Sequence, residues 1–231
     1  RADANAGNAD HLGEPWAVPV AETKLDETVT AGAKIGENSR PAMLAGQIID
    51  YQSKFNLNAL VINGQVSKPH LDAARKLFNL IDVPESLVDM ALARLLRSRA
   101  QVIDGRTIAA AETPLLRLTD LLGVTGFDTA ILQRLDPFVV VIPLTPEAPA
   151  ASLVNINTAP AEVIAAMVPT LDLAVARRFV VRRERTFFRD LNEASLQLDG
   201  QPVLPPVLLS VGSSYFMLRG MVRFDRVEVT S

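Results

Sequence analysis

The chain has 231 residues, 48% hydrophobic and 21% charged, with a formal net charge of −3; it can bury a core in one or two domains and is not a disordered polymer. A polyanion-binding protein normally carries the opposite balance, because neutralising phosphates supplies most of its affinity. The absence of cysteine removes disulfides, thiolate zinc sites and thiol nucleophiles, and the two histidines, His11 and His70, are too few for a histidine-rich metal centre.

Residues 1–47 are polar and broken by Pro15, Pro19, Gly32, Gly36 and Pro41, which predicts a tail or helix end and then a long irregular loop. Ile48–Tyr51 and Lys54–Leu57 have the composition of short strands around a polar turn at Gln52-Ser53. From Ser67 the period becomes helical, with Leu71, Ala74, Leu77, Phe78 and Ile81 on one face. Asp82 and Pro84 open a second helix whose predicted stripe is Leu87, Met90, Ala91 and Leu95, with Arg94, Arg97 and Arg99 near its C-terminus. Asp104-Gly105 reads as a turn, Thr113-Pro114 as the start of a third helix ending at Gly123, and Asp128 as the cap of a fourth stopped by Pro137.

Phe138–Ile142 is a short buried strand in this reading, and Thr145–Pro149 a linker. Asn157-Thr158 is expected to cap a helix running to Met167, Asp172 a helix to about Arg185, and Asp190 with Glu193 to form a capping box. After Pro202, Pro205 and Pro206, residues 213–230 read as strand, with Phe216, Leu218, Val222 and Phe224 alternating around Gly220. Strand-like ends around a helical block predict an α+β fold with an inserted helical domain.

The most specific stretch is Val154-Asn-Ile-Asn-Thr-Ala-Pro-Ala-Glu-Val-Ile164, which through Phe187 and Phe188 resembles a helix-hairpin-helix unit of the SAM-like kind. DNA-binding members hold a phosphate on a glycine-containing hairpin at a helix N-terminus. Here that hairpin is Thr170-Leu171-Asp172, with a carboxylate where phosphate would sit and Val175 where a lysine is expected. Arg177, Arg178, Arg182, Arg183, Arg185 and Arg189 are read as a solvated helix face paired with Glu184, Asp190 and Glu193, and Phe187 and Phe188 as core residues. A helix-hairpin-helix nucleic-acid-binding protein is the alternative reading.

Further blocks accompany this one in a fixed order: Glu14-Pro-Trp-Ala17, Ile49-Asp50 with Phe55-Asn-Leu-Asn58, Leu118–Gly126, Pro137–Pro143, Val154–Ala159 and Ser214–Leu218. The series resembles the minor pseudopilin K family of bacterial type II secretion over nearly the whole chain. The resemblance implies a pilin-like frame, residues 1–64 and 201–231, interrupted at 65–200 by a helical domain with two SAM-like units. It implies a non-enzymatic subunit at the pseudopilus tip, assembled with minor pseudopilins I and J and not with nucleic acid. It places the domain in the periplasm of a Gram-negative bacterium, with the full-length protein anchored in the inner membrane by a helix missing here. No run in this sequence approaches the roughly 18 apolar residues of a membrane span, and the start at Arg1 without a leader reads as a mature fragment.

Some pseudopilins bind calcium, which needs several clustered oxygen ligands; no aspartate-rich loop gives it a place here, and the family's acidic loop is replaced across residues 91–112. No other cofactor is implied. Asn56, Asn58, Asn155 and Asn157, with Thr158, are read as closing turns or caps through side-chain bonds to the backbone. Trp16 is read as packing over the frame, with partner contact as its second role. Neither histidine sits in a nucleophile motif and no Gly-x-Ser-x-Gly elbow occurs, so no catalytic residue is assigned.

Overall fold

The computed structural model describes residues 9–24, 43–99, 101–103, 106–145, 149–198, 200–224 and 227–230. A 3-10 turn, Pro15–Ala17, precedes β1, Val20–Lys24. Then come β2, Met43–Asp50, a 3-10 turn at Tyr51–Ser53, and β3, Phe55–Asn56. The 3-10 segment Leu57–Leu60 leads into a hairpin of β4, Val61–Ile62, and β5, Gln65–Val66. Its Asn63-Gly64 connection has φ of 51° and 79°, the left-handed pair a two-residue turn requires. Helices α1, Lys68–Leu80, and α2, Ser86–Arg97, follow.

A second hairpin pairs β6, Gln101–Ile103, with β7, Arg106–Ile108. The 3-10 segment Leu118–Gly123 leads to α3, Thr129–Leu135, and β8, Val139–Val140. A 3-10 segment at Pro149–Ser152 connects to β9, Val154–Asn155, and then to helices α4, Ala161–Met167, α5, Leu173–Arg183, and α6, Leu191–Leu196. The chain closes with β10, Leu209–Ser210, β11, Phe216–Phe224, and β12, Val227–Thr230.

Helices and strands segregate, as in an α+β fold. The chain's two ends build one antiparallel sheet in the order β1-β2-β11-β12, with Phe216 opposite Asp50 and Arg223 opposite Met43. Between them lie two helical units, each closed by a short parallel ladder: β3 with β8 around the first, β9 with β10 around the second. The ladders match in detail, since Phe55 N–H donates to Phe138 O and Val154 N–H to Leu208 O, both at 2.8 Å. Helix α1 packs on α4, so the units share one apolar core that includes Leu57, Leu77 and Phe78 from one and Ile156, Ile164 and Phe179 from the other. Each such side chain contributes roughly 1.5–3 kcal/mol on burial, so the helical block holds most of the hydrophobic stabilisation. The sheet, by contrast, leaves Leu44, Ile48, Leu218 and Val222 exposed.

Several sequence expectations need correction. The irregular region at 1–47 contains β1 and the start of β2; β1 becomes a strand by pairing with β2, a contact invisible in a five-residue segment. The turn expected at Asp104-Gly105, the loop glycines and the centre of the 145–149 linker lie outside the described residues. No helix forms at Thr113-Pro114; the chain tightens only at Leu118, where the Asp120 carboxylate accepts from the N–H groups of Leu116 and Arg117. Met90 is 38% exposed and Val88 takes its place in the buried stripe of α2. Pro84 precedes the N-cap, Glu85, so α2 starts later than expected. Arg94 is buried, its Nε 2.5 Å from Glu112 and its Nη2 donating to Thr113 O.

Candidate functional site: a buried polar junction

The two helical units begin alike. In Asn56-Leu57-Asn58, the first Asn Oδ1 accepts from the N–H of the second at 3.1 Å; in Asn155-Ile156-Asn157 the same bond is 2.9 Å. This side-chain turn bends the chain out of each short strand and buries the intervening apolar residue, Leu57 or Ile156. All four asparagines are buried, and each must therefore satisfy its amide inside the protein. The first unit satisfies them largely within itself. Asn56 Nδ2 donates to Ile142 O and Ala151 O, Ile142 N–H donates to Asn56 Oδ1, and Asn58 Nδ2 donates to Ile142 O.

The second unit turns outward. Asn157 Nδ2 donates to Phe188 O and Val211 O, while Phe188 N–H donates to Asn157 Oδ1. Asn155 Nδ2 instead reaches Asp10 O at 2.9 Å, Ser213 Oγ at 2.9 Å and Asp50 Oδ2 at 3.2 Å. Asp50, the last residue of β2, is 3% exposed. Its carboxylate accepts from Gln52 N–H, Thr158 Oγ1 (2.5 Å), Ser213 Oγ (2.7 Å) and Asn155. Burial pushes the Asp50 carboxyl above its ordinary 3.8, and the hydrogen bonds from Ser213, Thr158, Gln52 and Asn155 pull part of that back.

Gln52 extends the junction: Nε2 donates to Ala150 O and Leu153 O, and Ser214 N–H donates to Oε1. Sheet, inter-unit segment and second unit thus meet on two side chains, Asp50 and Gln52. The N-terminal segment joins them, with Ser213 N–H donating to Asp10 Oδ2 and Asp10 N–H to Val211 O. His70, buried near the start of α1, lies 2.8 Å from Ser67 Oγ through Nδ1 and 3.3 Å from Ser152 O through Nε2. A carbonyl can only accept, so the ring proton belongs on Nε2. Burial pushes the His70 pKa below 6.5.

The hairpin between α4 and α5 is occupied by the protein's own groups. Asp172 Oδ1 accepts from Val175 N–H at 2.8 Å and caps α5. From the other side Lys76 of α1 donates to Val168 O, Pro169 O and Leu171 O. Arg183 is buried, and donates to Ile156 O at 2.6 Å and Ala159 O at 2.7 Å. Burial lowers its pKa to about 10, so it stays charged at neutral pH.

Sequence reading and geometry differ at named residues. Asn157-Thr158 do not cap α4, whose N-cap is Pro160; Thr158 is drawn to Asp50 and Asn157 to Phe188 instead. Asp190 accepts from Glu193 N–H as expected, but Glu193 accepts from Arg189 N–H, so the reciprocal half of the box is shifted by one residue. Arg183 is no surface residue, and Arg177 pairs with Glu162. Arg183 follows Ala176 and Phe179 at helical spacing, a signal that placed it on the buried face. Gln52, Asp10 and Ser213 carried no motif of their own, and Asp50 stood in the Ile49-Asp50 block without a role attached to it. Trp16 is half-buried, donates to Glu14 Oε2 at 2.8 Å and meets Phe216 edge-on at 4.9 Å. Phe188 is buried and stacks on Phe179, while half-buried Phe187 stacks on His11 at 3.9 Å. Among the described residues, no group of three or more His, Asp or Glu side chains could hold a metal ion, and no helix is long and apolar enough to cross a membrane.

Two family models match the chain, both described as type II secretion system (T2SS), protein K. One covers residues 53–144 and the other 154–212, one on each helical unit. Type II secretion system protein K of Pseudomonas aeruginosa PAO1 is 28% identical over 239 residues. That match takes in 95% of this chain and 65% of the relative, so the chain spans just under two thirds of its length. In fold the chain is similar to a chain in the crystal structure of the GspK-GspI-GspJ complex from the enterotoxigenic Escherichia coli type 2 secretion system. The TM-score is 0.68 at 22% identity, over 96% of this chain and 79% of that one.

Proposed function

The chain belongs to the type II secretion system protein K family, and from that premise we propose that it is the periplasmic part of a minor pseudopilin. In this reading it is a structural, non-catalytic subunit at the pseudopilus tip, assembled with pseudopilins I and J. A further apolar helix, outside this sequence, anchors the full-length protein in the inner membrane. The observation that carries the reading is the match of a protein K model to each helical unit. The sheet supports a subunit role. Cross-strand partners share a face, which puts Leu218 beside Ile48 and Val222 beside Leu44. Leu218 is 71% exposed and Ile48 36% exposed. An apolar face of this kind suits burial against a neighbouring helix or subunit.

For the domain division we take the frame to end at Asp50 and resume after Ser213, a helical block wider than the expected 65–200; the pairing of β3 with β8 and of β10 with β9 supports this reading. The two units are taken as the SAM-like pair. A nucleic-acid role gains nothing from the hairpin: the Val175 N–H donates to the Asp172 carboxylate, and the carbonyls of Val168, Pro169 and Leu171 accept from Lys76. The test is reconstitution. Mixed with the soluble domains of I and J, this chain should elute as a stable ternary species in size-exclusion chromatography. Three separate peaks at micromolar concentration would defeat the proposal.

A further inference from the structure

Strand β11 is longer than the strand on its outer side. It pairs with β2 from Phe216 to Arg223, but with β12 only from Met221 to Phe224. In an antiparallel ladder successive residues direct their N–H and C=O groups to opposite sides. Tyr215 O accepts from Tyr51 N–H at 2.9 Å, which turns residue 215 toward the β2 side. By parity Met217 and Arg219 face β2 as well, and the backbone groups of Phe216 and Leu218 face away from it. β12 places no residue beside those two, and among the described residues no hydrogen bond reaches their outward N–H and C=O groups. Leu218 is 71% exposed and Phe216 40%.

An open row of alternating donors and acceptors is a template for one more strand. A helix cannot use it, because the backbone groups of a helix are already paired. A second copy is disfavoured by register. With two β11 edges antiparallel and centred on Leu218, β12 of one copy would take the place of residues 212–215 of the other, where that chain enters the polar junction. Side chains narrow the occupant further. On one face an incoming strand meets the apolar Phe216 and Leu218, on the other Met217 and the exposed Arg219. Among the described residues no carboxylate pairs with Arg219. Burial lowers the Lys54 pKa, and Arg219 adds to that shift against the pull of Asp136, so two like charges stand close together here. We propose that the outer edge of β11 at Phe216 and Leu218 accepts an extended segment of a partner protein as an added antiparallel strand, with apolar side chains beside those two residues and a carboxylate beside Arg219.

The test uses the whole chain and a short fluorescent peptide in which valine and glutamate alternate, with binding read by anisotropy and its location by amide hydrogen exchange. The peptide should slow exchange at Phe216 and Leu218 and leave Met217 and Arg219, already paired to β2, unchanged. In the proposed register the valine N–H groups face β11. Methylating the valine nitrogens should therefore abolish binding, whereas methylating those of the glutamates should largely preserve it. Leu218→Pro removes an N–H that β2 does not use and should weaken binding about fivefold or more. Should that variant lose its fold, Arg219→Glu serves alone: it should weaken binding severalfold and transfer the preference to a peptide that alternates valine with lysine. Undiminished binding of the valine-methylated peptide, unchanged exchange at Phe216 and Leu218, or no response to Arg219→Glu would each overturn the proposal. So would protection of those two amides that grows with protein concentration in the absence of peptide, which would put a second copy on the edge.

Discussion

The two helical units start from the same device and spend it differently. In the first, Asn56 and Asn58 converge on Ile142, and only the bond to Ala151 O leaves the unit. In the second, Asn157 closes the unit onto Phe188 and Val211, while Asn155 faces the end of the sheet and the N-terminal segment. The local turn is the same in both. What lies opposite the first asparagine decides whether it seals a unit or fastens it to something else.

Truncating each asparagine separates those roles. Asn155→Ala and Asn56→Ala should each cost about 3 kcal/mol in urea unfolding, since each strands several buried polar groups. Only Asn155→Ala should speed hydrogen exchange at the ends of β2 and β11 nearest the junction. Equal acceleration in Asn56→Ala would erase the distinction.

Acidity probes the same contrast with opposite signs. The Asp50 carboxyl is raised above 3.8 in the fold, so its contribution is complete below 3.8 and is lost as pH climbs through the folded value. The unfolding free energy of the protein minus that of Asp50→Asn should therefore decline with rising pH above 3.8. The His70 pKa is lowered beneath 6.5, so its contribution is complete above 6.5 and is lost as pH drops through the folded value. Here the difference from His70→Gln should decline as pH falls below 6.5. Either slope is bounded by about 1.4 kcal/mol per pH unit, and a reversed slope in either series would contradict the assigned burial.

The smallest effects come from the hairpins. In the second unit Lys76 holds three carbonyls, whereas in the first exposed Arg134 holds only Asp82 O. Lys76→Met should lower stability by about 1 kcal/mol and Arg134→Met by no more than about 0.5 kcal/mol. Equal losses by thermal unfolding would mean that the two hairpins are braced alike.

The parts of this fold that could be read beforehand are those written locally. Asp128 and Asp172 cap α3 and α5 because the bond closes within three residues. The alternation that marks β11 needs no knowledge of its neighbour. Strand β1 could not be found that way, since five residues become a strand only by pairing with β2 across an intervening segment. Asp50 could not be identified either. An aspartate ending an apolar strand looks like a surface terminus until Thr158 and Ser213, distant in sequence, are folded over it. Arg183 stood within a run of arginines whose composition suggested solvent, although its spacing from Phe179 placed it inward.

The chain leaves the sheet at Asp50 and re-enters it at Phe216, and Tyr51 N–H donates to Tyr215 O at 2.9 Å. Exit and entrance are therefore neighbours. A floppy excursion of such length would penalise the meeting of its ends by an entropy growing with the logarithm of its length. A folded one delivers them side by side. For the sheet, the whole helical block is topologically a hairpin turn that happens to have an interior, and β2 and β11 could in principle be joined by a tight turn in its place.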